Sequence, residues 1–221
     1  MKQKKLFGLI LALVATVAVA EGNKNLPAKI LYENNFQKAD LDKVPGDFLV
    51  LDGGFAVKQE GDNKFLELPG APLETFGLLF GPTVETDVAV SAKFRGTSKG
   101  RRFPTFAIGL NGVGGYKLQV SPAKKALEIS KGDEVVATVS FEEKVGSWMM
   151  FQLRNRKVNG GEWKIEGKVW LENSVEPKEA MIGIAEKTKP VAGRASIWGS
   201  PYSGTPIQFD DFKVSSLEAA K

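Results

Sequence analysis

Trp163-Lys164-Ile165-Glu166-Gly167-Lys168-Val169-Trp170-Leu171 decides how the rest of the chain is read. Side chains alternate across a β-strand. Trp163, Ile165, Val169 and Leu171 then share one face, and Lys164, Glu166, Lys168 and Trp170 share the other. The same period runs through 84–94, where Val88, Val90, Ala92 and Phe94 oppose Asp87, Ser91 and Lys93, with Ala89 among the polar ones. One apolar and one wet face per strand is what an antiparallel sheet needs when it stacks on a second sheet.

Working outward, strand-like segments recur at 30–36, 48–52, 55–59, 65–68, 76–80, 84–94, 105–110, 116–120, 127–130, 135–141, 148–156, 163–171, 180–185, 194–198 and 207–215. Turn residues separate them, among them Gly53-Gly54, Gly61-Asp62-Asn63, Pro69-Gly70, Gly114-Gly115, Lys131-Gly132-Asp133 and Asn159-Gly160-Gly161. Helical periodicity is absent except over 216–221. No linker of biased composition and no fixed-period repeat interrupts the pattern. The reading is one all-β domain over 28–216, a two-sheet antiparallel jelly-roll sandwich, with a C-terminal tail at 217–221.

The N-terminus reads differently. Lys2, Lys4 and Lys5 precede an apolar run over 6–20 that ends in Ala18-Val19-Ala20, a small-x-small cleavage signal. The run is shorter than the roughly 20 residues a membrane span needs, and the polar Glu21-Gly22-Asn23-Lys24-Asn25 follows it directly. Residues 1–20 are therefore expected to be a signal peptide and 21–27 a flexible lead. The mature protein is expected in a periplasm or outside the cell, with no stable membrane insertion. Cleavage removes three lysines and takes the formal charge from +4 to +1. That near-neutral balance gives no electrostatic footprint for nucleic acid.

Two absences narrow the chemistry. With no cysteine, the core must stabilise an exported domain without disulfides. With no histidine, the commonest neutral-pH base and transition-metal ligand are missing, and no Ser-His-Asp or Cys-His system can be built.

Three segments carry a family resemblance. They are LYENNF (31–36), GSWMMFQLRNRKVNGGEWKIEGKVWLEN (146–173) and GRASIWGSPYSGTPIQFDDFKV (193–214). They resemble the opening, paired and closing strands of the concanavalin A-like lectin and glucanase jelly rolls. Within that superfamily the chain is most similar in look to laminin-G-like modules and to 3-keto-disaccharide hydrolase-like domains. The resemblance implies sugar binding, sugar cleavage or adhesion, and the fold alone does not choose among them.

Glucanases of that superfamily use an E-x-D-x-x-E strand, with carboxylates spaced for glycoside hydrolysis. The matching residues are Glu85-Thr86-Asp87-Val88-Ala89-Val90, where Val90 stands in place of the second glutamate. Glu85 and Asp87 are the carboxylates such chemistry would draw on, and alone they do not complete it. Binding is therefore favoured over catalysis, which the sequence leaves open. A structural or adhesive role in the cell envelope is the third reading.

For a glycan or polysaccharide partner, the contacts to expect are aromatic rings that stack on sugar C–H faces and side chains that bond hydroxyls. Trp170 stands on a polar face, and Arg154 and Arg156 point the same way as Gln152. Trp198 and Tyr202 flank a Gly/Pro-rich loop, and Arg101 and Arg102 lie in the Lys99–Phe106 segment. Trp148 and Trp163 are assigned to the core. The resemblance also implies a structural calcium, with Asp210 and Asp211 joining carbonyls of the Asp52-Gly53-Gly54 turn. The alternative is that one aspartate accepts backbone N–H bonds while the other faces solvent. No other cofactor is required.

Overall fold

The computed structural model describes residues 29–71, 74–158 and 160–217. The expected signal peptide, the lead at 21–27 and most of the tail lie outside the described residues. Among the described residues no helix is long and apolar enough to cross a membrane.

Among the described residues fifteen strands, antiparallel at every pairing, form two sheets. The first sheet runs β13 (Ile182–Glu186), β12 (Trp163–Leu171), β11 (Met149–Lys157), β6 (Val88–Gly96), β15 (Ile207–Ser216), β4 (Asn63–Leu68) and β3 (Ala56–Glu60). An eighth strand, β1 (Lys29–Asn34), also pairs with β15. The second sheet runs β10 (Glu134–Ser140), β9 (Ala126–Lys131), β8 (Tyr116–Ser121), β7 (Thr105–Leu110), β14 (Gly193–Ser200), β5 (Phe76–Val84) and β2 (Leu49–Asp52). The all-β sandwich expected from alternation is the architecture of the chain.

Strand β15 organises the first sheet. One edge pairs with β6, while the other meets β4 at Ile207–Phe209 and β1 from Phe212 onward. Between these two partners the register slips. Asp210 stands opposite Lys93, yet Lys213 stands opposite Ser91, so one extra residue is accommodated. This is a β-bulge, and Asp211 sits in it with a positive φ of 49°, a conformation aspartate tolerates better than most residues. The bulge resets alternation, so Phe209 and Phe212 both point into the core although three positions separate them.

Those two rings nucleate two aromatic clusters between the sheets. Phe209 packs edge-on to Phe94 at 5.1 Å between centroids, and Phe94 meets Phe151 at 4.4 Å and Phe106 at 5.7 Å. Phe212 meets Phe80 at 4.6 Å, Phe36 at 5.2 Å and Phe48 at 5.7 Å. Phe106 and Phe80 come from the second sheet, so each cluster ties one sheet to the other. Elsewhere the layers close on Gly167, where a Cβ would come within 2.5 Å of Leu118.

Two expectations need correction. The strand predicted over 84–94 begins only at Val88, and Glu85–Asp87 forms the turn that joins β5 to β6. The cause is local: Asp87 adopts a positive φ of 56°, and its Oδ1 accepts the Lys157 N–H at 2.9 Å. Trp148 is not in the core but stands on the outer side of the first sheet, edge-on to Phe65 at 6.0 Å with the Arg95 guanidinium 4.7 Å from its ring centre.

Each aromatic cluster depends on its β15 ring. Phe212→Ala is expected to lower unfolding stability by about 3–5 kcal/mol, the usual cost of emptying a packed phenylalanine site. Urea unfolding of wild type and variant measures this, and a loss under about 1 kcal/mol would contradict the clustering.

Candidate functional site

Of the side chains singled out in the sequence, the outer face of the first sheet gathers Trp170, Arg154, Arg156, Gln152 and Asp211. Strand register orders them into transverse rows. Trp170 stands beside Met150, Met150 beside Lys93, and Lys93 beside the Asp210–Asp211 bulge. The neighbouring row is Lys168, Gln152, Ser91, Lys213 and Glu33. Beyond it lie Glu166 and Arg154.

A depression of about 730 Å³ opens on this face, with Ser91, Lys93, Met150, Asp211 and Lys213 on the sheet side. The segment leaving β1 raises its other wall with Asn34, Asn35 and Lys38. The positive φ of 59° at Phe36 turns that segment across the sheet, anchored where the Phe36 N–H bonds Asn34 Oδ1 at 2.9 Å.

Charge on the face is ordered by pairing. Lys93 Nζ lies 2.6 Å from Asp211 Oδ2 and 2.5 Å from Glu172 Oε1. Burial pushes the lysine down, but its two carboxylate partners hold it above the ordinary range. Arg154 Nε and Arg156 Nε donate to the same Glu166 oxygen at 3.0 and 2.8 Å. Burial would raise Glu166, and the two arginines outweigh it and hold the carboxyl low. Lys168 is spent on structure, because its ammonium donates to the Pro177 carbonyl at 2.7 Å and to Glu176 at 3.0 Å.

Asp210 lies beneath this surface, only 3% exposed. Its Oδ2 accepts from Asn63 Nδ2 at 3.0 Å, and its Oδ1 accepts the Asp211 N–H at 2.7 Å. Burial pushes its carboxyl up to about 6 despite these donors. Asp52 belongs to the second sheet, where its Oδ1 accepts the Gly53 N–H at 2.7 Å. Among the described residues no group of three or more His, Cys, Asp or Glu side chains stands together.

The remaining candidates lie elsewhere. Trp198 stands on the outer face of the second sheet, where a Cβ on Gly77 would come within 2.5 Å of its ring. The Lys117 ammonium stands 4.2 Å from its ring centre. Arg101 and Arg102 sit in the loop after β6, and the Arg102 guanidinium donates to the Ser203 carbonyl at 3.4 Å. That contact joins their loop to the Tyr202–Thr205 turn.

Glu85 and Asp87 are each held by a partner of their own. The Glu85 carboxylate is 2.7 Å from Lys189 Nζ, and Asp87 clamps the Lys157 backbone. Buried Asn111 and Asn155 both donate to the Glu85 carbonyl, at 2.8 and 3.0 Å, fixing the turn.

One carboxylate that sequence reading passed over is Glu143, in the loop between β10 and β11. It shares a hollow of about 330 Å³ with Phe141, Met149, Trp170 and Leu171. Nothing in the alternation marked it, because it belongs to no strand.

No protein-family model matches the chain, and no curated protein matches it. Solved structures do. The carbohydrate binding module CBM66 from Bacillus subtilis superposes with a TM-score of 0.53 at 12% identity, over 77% of this chain and 96% of its own. The exoplasmic/lumenal domain of VIP36, in a Ca2+/Man2-bound form, gives 0.58 at 10% identity, over 88% and 89%. A protein of unknown function with a galectin-like fold, also from Bacillus subtilis, gives 0.55 at 12% identity, over 85% and 96%. At such identities the likeness is one of fold, the two-sheet jelly-roll sandwich that these structures share with the chain.

Asp210 generates a pH signature. Its folded pKa of about 6 lies above the ordinary 3.8, so the folded state holds that proton more tightly than the unfolded chain. The resulting stability is present at pH below 3.8 and is lost as pH rises through 6. Relative to wild type, Asp210→Asn is therefore expected to gain about 2 kcal/mol between pH 4 and 7. Urea unfolding across that range measures it, and parallel profiles for the two proteins would contradict the buried placement.

Proposed function

We propose that this protein is an exported, non-catalytic glycan-binding module whose ligand lies on the outer face of the first sheet. The observation that carries the reading is the row of Met150, Lys93 and Asp211 that lines the depression of about 730 Å³, with Trp170 next to Met150 outside that lining. Indole and thioether offer apolar surface for the C–H face of a sugar ring. Asn34, Asn35, Ser91, Lys93 and Asp211 offer the donors and acceptors that hydroxyl groups need. Sites of this composition, an apolar platform with a few placed polar groups, are how small ligands are oriented.

The comparisons support the reading through their own ligands. CBM66 is a carbohydrate binding module, and the VIP36 domain carries Man2 with calcium. Binding is preferred to cleavage because three acidic groups on this face are held by cations, Asp211 and Glu172 by Lys93 and Glu166 by two arginines. None of the three is positioned as a free acid or base. The basic, apolar and small-residue order of residues 1–20 supports export.

Trp170→Ala is expected to weaken binding to the best polysaccharide by at least about tenfold, one stacking contact in a small interface. The melting temperature should stay nearly constant, because the half-buried Trp170 lies outside the core cluster. A polysaccharide screen followed by calorimetric titration measures both quantities. Undiminished affinity in Trp170→Ala, or no binding to any glycan, would overturn the reading.

A further inference from the structure

Beyond the glycan face, the hollow at the ends of β11 and β12 has chemistry of its own. Its apolar walls are Phe141, Met149, Trp170 and Leu171, and its volume is about 330 Å³. Into this apolar setting the loop between β10 and β11 places the Glu143 carboxyl, with Oε1 beside Gly96. Glu143 has no hydrogen bond and no ion pair among the described residues.

The charged groups around it are otherwise engaged or act weakly. Glu142 is held by Lys125 at 3.1 Å, and Glu172, two positions past Trp170, is held by Lys93. Lys144 lines the same hollow on its exposed side. The residues of neighbouring strands that stand at Glu143 or line its hollow are Gly96, Met149, Trp170 and Leu171, none of them charged. Burial alone displaces the Glu143 carboxyl, pushing it up to about 7, with no cation drawing it down. Half-buried carboxylates without a partner are costly, and an aromatic wall beside one is the environment that receives organic cations.

We infer that this hollow is a binding site for a small organic ammonium ion, with Glu143 as counter-ion and the apolar walls of the hollow, Phe141 and Trp170 among them, as the surface its alkyl groups rest on. The site is independent of the glycan reading, although Trp170 lines this hollow and stands next to Met150 of the depression. Its cation must displace a proton whenever Glu143 is protonated. Because the carboxyl titrates at about 7, the ionised fraction and the apparent affinity rise about tenfold from pH 6 to pH 8.

Titration of the protein with choline, followed by calorimetry and by tryptophan fluorescence, tests this. The neutral isostere 3,3-dimethyl-1-butanol serves as the control for burial alone. Expected results are saturable choline binding, at least tenfold weaker binding of the neutral isostere, and tightening from pH 6 to pH 8. Glu143→Gln, which keeps the shape, should reduce choline affinity at pH 8 by at least tenfold and abolish the pH dependence. Absence of saturable binding, equal affinity for choline and its isostere, or full binding by Glu143→Gln would each overturn the assignment. Wild-type pH dependence tests the same point without any substitution.

Discussion

Everything on the first sheet depends on one extra residue in β15. Without the bulge at Asp210–Asp211, strict alternation would send Phe212 and Val214 outward and bring Asp211 and Lys213 inward. With it, the strand feeds Phe209 into one aromatic cluster and Phe212 into the other. The same slip lets β4 and β1 share a single edge of β15. It also sets Asp211 on the surface against Lys93 and folds Asp210 beneath it. Core and candidate site are thus two consequences of one backbone irregularity.

A chain without cysteines has to hold two sheets together by packing, and here phenylalanine carries much of that burden. Rings from β5, β6, β7, β11 and β15 meet within 4.4 to 5.7 Å, at tilted, edge-on and offset stacked angles. These are the favoured arrangements of aromatic pairs. The outer face is held differently. Its pairs are partly exposed and each contributes little to stability. Their consequence is positional: Lys93 is fixed between Asp211 and Glu172, and Glu166 gathers two arginines. A binding surface with locked side chains loses less entropy when a ligand arrives.

Much of this was legible in the residues. Fifteen alternating segments became fifteen strands, because period-2 patterning reports which side of a sheet a residue occupies. For that reason Trp170, Arg154, Ser91 and Lys93 were placed on a polar face correctly. Alternation says nothing about which strands are neighbours, so it could not bring Lys93 beside Asp211 or place Trp198 on the other sheet. It failed at Glu85–Asp87, where an aspartate in a left-handed conformation ended the strand that the pattern continued. It also missed Glu143, whose environment is assembled from a loop and three distant strands. The sequence Phe209-Asp210-Asp211-Phe212 did hold a sign of the bulge, in the three-residue spacing of its aromatics.

The central claim is that ligand meets the face built around that bulge. Backbone-amide NMR of the labelled protein, titrated with the best-binding oligosaccharide, tests it most directly. The account predicts shifts confined to Ser91, Lys93, Met150, Trp170, Asp211 and their neighbours on β6, β11, β12 and β15. Shifts centred instead on Trp198 and Lys117, across the second sheet, would contradict it.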